Sequence, residues 1–258
     1  MSHPAAATQK TPPRVLAIHA HPDDVEFQCA GTLALLKERG CPISIVTMTA
    51  GDKGSATMGQ AEIAAVRRKE AQDAANLLGA EYLCLEFHDL EIVHDNPSRR
   101  KVVEALRRTR PDIVLTAPPV DYMSDHEVTS LLVRDACFAG SVPNYATYQW
   151  EPAPLLERIP ALYYVSPLEG IDWYHQPQPY DFIVDITRTF ELKQKMLACH
   201  SSQRDWLYRQ HGVDEYLDSC QRWSATLGQK IGVTYGESYR QHTGHPFPQN
   251  NILKDWLS

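Results

Sequence analysis

Six consecutive residues of this chain, His21 to Glu26, hold an imidazole, a proline and three carboxylates, in the run Ala20-His21-Pro22-Asp23-Asp24-Val25-Glu26. A histidine and an aspartate three positions apart, as His21 and Asp24 are, can reach one Zn²⁺ together, because that ion accepts imidazole nitrogen and carboxylate oxygen equally readily. Asp23 is then left free to act as a base toward water beside the ion. Without a cation the adjacent Asp23 and Asp24 would repel each other, and a bound ion removes that penalty. A second reading stands beside this one: a Pro-Asp turn whose aspartate caps the following helix.

The elements around the run place it where either reading would put it. Residues 14–20 form an apolar, partly β-branched stretch that reads as a buried strand, and Pro22 stops it. A helix follows over about 28–39, with a basic last turn and Gly40 at its end. Strand two is expected over Ile43–Thr49, and a glycine-punctuated loop over Ala50–Ser55. That loop lacks both the GK[ST] of a P-loop and the GxGxxG spacing. An alanine-rich helix runs from Gln60 to Leu78 and ends at Gly79, and strand three covers Tyr82–Phe87. Asn96 and Pro97 open the next helix as cap and first residue. Strand four is Asp112–Ala117, and a loop then enters a helix carrying His126. Residues 141–160 are rich in proline and aromatics and read as a lid or a partner surface. Two late strands, 161–165 and 182–186, precede a helix over Phe190–Gln203 and a mostly helical stretch to Gln229.

This alternation predicts an α/β fold: a Rossmann-like, mostly parallel sheet with flanking helices, in one domain with a C-terminal strand and helix extension. If the strand order is 3-2-1-4, strands one and four are neighbours and a crevice opens at their carboxyl ends. A third metal ligand is then expected from the end of strand four. His126 is the only histidine close after it.

With 258 residues and 43% hydrophobic content, the chain suits one large domain, 14–258, behind a loose Ala/Pro-rich tail, 1–13. The net charge of −7 argues against a nucleic-acid partner. The first residues lack the apolar core of a signal peptide, and no run suits a membrane span. Cys29, Cys41, Cys84, Cys137, Cys199 and Cys220 contain no CxxC pair and read as reduced thiols of a cytoplasmic protein.

Ala20–Glu26 matches the AHPDDxE motif, and the chain thereby resembles the LmbE-like (PIG-L) family of zinc-dependent N-acetylglucosaminyl deacetylases. Asp121–Thr129 resembles the family's second motif, often written HPDH, whose last histidine is the third zinc ligand. The resemblance therefore implies one Zn²⁺ per chain, held by His21, Asp24 and His126, with Asp23 as base. Asp125 would support catalysis by orienting a neighbour. Met123 departs from the motif, since the family has there a histidine that stabilises the oxyanion or the leaving group. Asp23 would then make both proton transfers, unless His88 or His200 reaches in. Arg67 and Asp89 match positions that contact glycan hydroxyls, and Asp52 lies on the same rim.

Lys193, His200-Ser201-Ser202-Gln203 and Tyr235–Arg240 extend the similarity and are assigned to packing; Glu26 buttresses the site and His19 sits in the core. The implied activity is removal of an N-acetyl group from a small amino-sugar or glycoconjugate substrate. Two other readings remain: an amidase of thiol-sugar conjugates, and a non-catalytic sugar- or nucleotide-binding Rossmann-like module. Homo-oligomerisation is left open.

Overall fold

The computed structural model describes residues 11–204, 208 and 216–258. Most of the tail expected over 1–13, and part of the helical stretch expected after Gln203, lie outside the described residues. The elements are β1 (Val15–His19), α1 (Asp24–Gln28), α2 (Ala30–Glu38), β2 (Ile43–Thr49), α3 (Gln60–Leu78), β3 (Glu81–Phe87), α4 (Asn96–Thr109) and β4 (Ile113–Thr116). They continue with α5 (Ser124–Ala139), β5 (Ala161–Val165), β6 (Phe182–Asp185), α6 (Phe190–Ala198), α7 (Tyr216–Gln229), β7 (Gly236–Gln241) and α8 (Ile252–Leu257). The sheet order is β3-β2-β1-β4-β5-β7-β6. The first five strands are parallel, and β7 runs antiparallel to both of its neighbours.

Both faces of the sheet are covered, which is why its central strands read as continuous apolar runs. Alternate residues separate the two halves of the core. Val15, Ala17, Ile43 and Ile45 face α2 and the end of α3, together with Met196 of α6. Leu16, Ile18, Val46 and Val114 face Val102 and Leu106 of α4 and Leu132 and Val133 of α5.

Four expectations change in detail. The helix expected over 28–39 is α2, starting at Ala30, and a separate short helix, α1, precedes it, because Cys29 departs from helical geometry (φ −143°, ψ 5°) between the two. The new helix start is capped from far away: Glu237 of β7 accepts the amides of Gly31 and Thr32 at 3.0 and 2.8 Å. The cap of α4 is Asp95 and not Asn96, since the Asp95 carboxylate accepts the Ser98 amide at 2.8 Å. The helix expected over Phe190–Gln203 is interrupted after Ala198, with helical geometry resuming at Ser201.

The fourth change concerns residues 141–160. They are tied to the C-terminal half of α4: Glu104 accepts from Thr147 Oγ1 (2.7 Å) and the Ala153 amide (2.9 Å), and Arg107 donates to the Gly140 carbonyl (3.1 Å). Because α4 returns from the end of β3 to the start of β4, this segment lies at the amino edge of the parallel strands. It cannot cover a site at the carboxyl edge. No helix among the described residues is long and apolar enough to cross a membrane.

Candidate metal centre

The chain leaves β1 through Ala20 and His21, and Pro22 prevents further strand pairing. Asp23 then takes a left-handed conformation (φ 98°, ψ −26°) at the N-cap of α1. That conformation is uncommon for a residue with a side chain. The two successive carboxylates engage different partners. Asp24 folds back, accepting the His21 amide at 2.8 Å, and reaches the two imidazoles. Asp23 faces Arg67 and Tyr216.

His126, in the first turn of α5, joins this corner from the end of β4. His21 Nδ1 and His126 Nε2 are 3.3 Å apart, His21 Nδ1 and Asp24 Oδ2 3.5 Å, and His126 Nε2 and Asp24 Oδ2 3.4 Å. Three atoms bound tetrahedrally at about 2.0–2.1 Å from one ion would stand about 3.3 Å apart. The triangle therefore has the size that a zinc ion requires. Two imidazoles and one carboxylate are also a donor set that leaves a coordination position open for chemistry.

Both rings are held by carboxylates on their far sides. Asp125 Oδ2 lies 3.1 Å from His21 Nε2 and also accepts the Leu90 amide at 2.7 Å. Asp121 Oδ1 lies 2.9 Å from His126 Nδ1 and accepts the Met123 amide at 3.2 Å. With the far nitrogens donating, Nδ1 of His21 and Nε2 of His126 are left with lone pairs toward the corner.

The electrostatics match a cation. Burial alone would lower the pKa of His21, but Asp125 and Asp24 outweigh it and push the imidazole up to about 9. Burial likewise opposes protonation of His126, and Asp24 and Asp121 raise it well above the usual range. Burial favours the neutral form of Asp24, yet the two imidazoles hold it well below the usual carboxylate range. The corner attracts positive charge, as protons or as a metal ion.

Asp23 stands apart from the triangle. Its Oδ2 accepts the Tyr216 hydroxyl at 2.7 Å and lies 3.5 Å from Arg67 Nη2. Burial raises its pKa, with Arg67 opposing and Asp24 adding to the rise. Arg67 is 3% exposed, donates to the Pro22 carbonyl at 2.8 Å and is roofed by Gly51 and Gly54, so it braces the turn from within. Asp89 is also buried. Its Oδ2 accepts the Lys53 amide at 3.0 Å, while Oδ1 has no hydrogen-bond partner among the described residues and lies 3.9 Å from His21 Nε2. Asp52 supports that loop by accepting the Asp89 amide at 2.9 Å.

The other histidines divide clearly. His88 is on the surface against Asp52 (2.7 Å). His200 is fully buried with Nε2 3.4 Å from Glu26 Oε2. Glu26 is buried in contact with His200. His19 is buried in the core and lowered to about 4 by that burial. Lys193 and Glu237 form a buried ion pair at 2.6 Å, in keeping with the packing role expected of both segments. Met123 offers only backbone groups, as N-cap of α5.

Asp121, Tyr122 (its ring edge-on to His126 at 5.5 Å) and Tyr216 carried no role in the sequence reading. Asp121 had a local signal, being a carboxylate five residues before a ligand histidine, where such histidines commonly find their support. Tyr216 had none, since 193 residues separate it from Asp23.

Residues 16–137, which include the triangle and both supporting aspartates, match the PIG-L family model, described as GlcNAc-PI de-N-acetylase. The chain is 27% identical over 199 residues to the diacetylchitobiose deacetylase of Thermococcus kodakarensis, spanning 74% of this chain and 70% of that protein. It is 26% identical over 224 residues to the 4-oxalmesaconate hydratase of Pseudomonas putida, spanning 80% and 82%. Among solved structures it resembles the N,N'-diacetylchitobiose deacetylase of Pyrococcus horikoshii, with TM-score 0.76 and 28% identity, covering 92% of this chain and 88% of that one.

Proposed function

The chain belongs to the LmbE-like (PIG-L) family, and from that premise we propose that it is a zinc-dependent hydrolase removing an N-acetyl group from an amino-sugar compound of the N-acetylglucosamine type. The observation that carries the reading is the zinc-sized triangle of His21, Asp24 and His126 beside a separate, half-buried carboxylate, Asp23. The three would hold one ion per chain, with Asp125 and Asp121 fixing the rings. Zinc, when bound, supplies Lewis-acid polarisation of the amide carbonyl and a lowered pKa for water.

Asp23 takes a proton from water as the oxygen attacks the carbonyl carbon. When the C–N bond breaks, the protonated carboxyl returns that proton to the leaving amine nitrogen. Met123 cannot donate a proton, His200 is fully buried against Glu26 and His88 is held on Asp52, so Asp23 makes both transfers. Asp89 Oδ1, buried near His21 and without a hydrogen-bond partner among the described residues, would accept a sugar hydroxyl. Arg67 offsets the charge of Asp23 and braces its turn.

Acetate release from N,N'-diacetylchitobiose and other N-acetyl sugars, with zinc titrated against the metal-free protein, tests the reading. The expected result is turnover at about one zinc per chain. Asp23→Asn should keep the ion and lose about 10²–10⁴-fold in kcat, the usual contribution of a positioned base. Zinc binding without acetate from any of the sugars would refute it. Hydration of a substrate such as 4-oxalmesaconate would instead align the chain with its hydratase relative.

A further inference from the structure

Tyr216 is the first residue of α7, and its phenol touches the chemistry at one atom. The hydroxyl donates to Asp23 Oδ2 at 2.7 Å, and Arg67 Nη2 stands 3.5 Å from the same oxygen. Among the described residues nothing hydrogen-bonds to Asp23 Oδ1. A carboxylate presents two equivalent oxygens and can rotate about its last bond. A base that must meet water and then the leaving nitrogen needs one particular oxygen held in one direction.

We infer that Tyr216 is the positioning residue of Asp23, pinning Oδ2 so that Oδ1 alone faces the reacting atoms through both proton transfers. The inference rests on the deacetylase reading above. It matters more here than in a site with a second proton donor, because Met123 leaves Asp23 to work alone. Burial, and the negative charge of Asp23 itself, push the Tyr216 phenol well above its ordinary pKa, so it remains a donor throughout. Arg67 adds charge, but at 3.5 Å it does not set direction as the shorter bond does. Arg67 also has the Pro22 carbonyl to hold it, whereas the Tyr216 hydroxyl arrives from the far end of the chain and, among the described residues, donates to Asp23.

Tyr216→Phe removes the hydroxyl and keeps the ring. In the zinc-loaded protein, kcat should fall about 10- to 100-fold, as for a lost hydrogen bond to a charged group, with KM and zinc content unchanged. In the Asp23→Asn background the same substitution should cost nothing further, since the oxygen it directs is no longer a base. Multiplying losses in the double variant would overturn the inference.

A readout independent of turnover comes from 3-fluorotyrosine incorporation. The ¹⁹F resonance that vanishes in Tyr216→Phe should shift in Asp23→Asn, and an unmoved resonance would also overturn the inference. A zinc-loaded wild-type protein that releases no acetate while its fluorine signal still follows Asp23 would refute the deacetylase reading and leave the contact standing.

Discussion

Replacing Glu237 with alanine should damage the fold more than any other single exchange on β7. Lys193 Nζ donates to Glu237 Oε1 and to the Phe27 carbonyl, both at 2.6 Å, and the two charged side chains are 1% and 2% exposed. Removing the carboxylate strands a buried ammonium, at about 3–5 kcal/mol. It also leaves the Gly31 and Thr32 amides uncapped, adding about 1 kcal/mol each. At about 2–4 °C per kcal/mol for a chain of this size, the melting temperature should fall by about 10–25 °C. Glu237→Gln keeps an acceptor for the amides and should lose about half as much. Pairing Glu237→Leu with Lys193→Met should recover part of the loss, because no charge is then left unpaired, giving a coupling of about 1–3 kcal/mol in the double-mutant cycle.

Burial opposes the charged form of Lys193, but Glu237 outweighs it and raises the pKa above its ordinary 10.5. The stability this contributes is fully present below that ordinary value and is lost only as the pH rises through the folded one. In Glu237→Ala only the opposing burial remains, so the stranded Lys193 sheds its proton more readily, and scanning calorimetry between pH 6 and 9 should show a deficit largest at pH 6 and shrinking toward pH 9. A Glu237→Ala protein melting within about 3 °C of wild type, or single losses that simply add, would refute the reasoning.

Three further outcomes are expected. Asp125→Asn and Asp121→Asn each loosen the far side of one ligand imidazole and should weaken zinc binding about 10- to 100-fold in chelator competition; unchanged affinity in both would contradict the support assigned to them. His21 is raised to about 9, so the metal-free corner carries protons that zinc must displace. Affinity should fall steadily as the pH drops from 9 to 6, with proton release visible by calorimetry in buffers of different ionisation heat, and a flat profile would contradict the electrostatics. Gly51 has φ 73° and a side chain there would strike the Arg67 guanidinium, so Gly51→Ala should destabilise the chain by about 1–3 kcal/mol and lower kcat by displacing Arg67; a variant matching wild type in both melting and kcat would show that the contact is not tight.

What could be read from sequence followed the range of each interaction. The ligand triangle came from two short motifs and a strand order, and β3-β2-β1-β4 is the order found. Helix α3 runs from Gln60 to Leu78 as its pattern indicates, because alanine-rich periodicity and Gly79 are local signals. Asp95 and Asn96 are both good caps side by side, so composition could not choose between them, and geometry did. The break at Cys29 was invisible because its compensation comes from Glu237. β7 itself, Gly-Glu-Ser-Tyr-Arg-Gln, lacks the apolar alternation of a strand, since its buried polar groups are satisfied by distant partners. Arg67 kept its place near the site but lies 3% exposed beneath two glycines, a depth that no linear spacing reveals.

The seating of β7 between β5 and β6 constrains the order in which the molecule can assemble. β1 to β5 can pair as the chain is synthesised, but β6 has no neighbour in the sheet until the later β7 arrives. The same strand brings Glu237 to α2 across 206 residues, a long loop to close and so a slow contact to make. Helix α7 leads into that strand through a short turn, with Gly228 packed directly against the backbone of Thr234 and Tyr235. Closing the last seam of the sheet therefore also delivers Tyr216 to Asp23. A nascent chain can bring its three ligand atoms together early, yet it does not hold its base in a working orientation until the fold is complete.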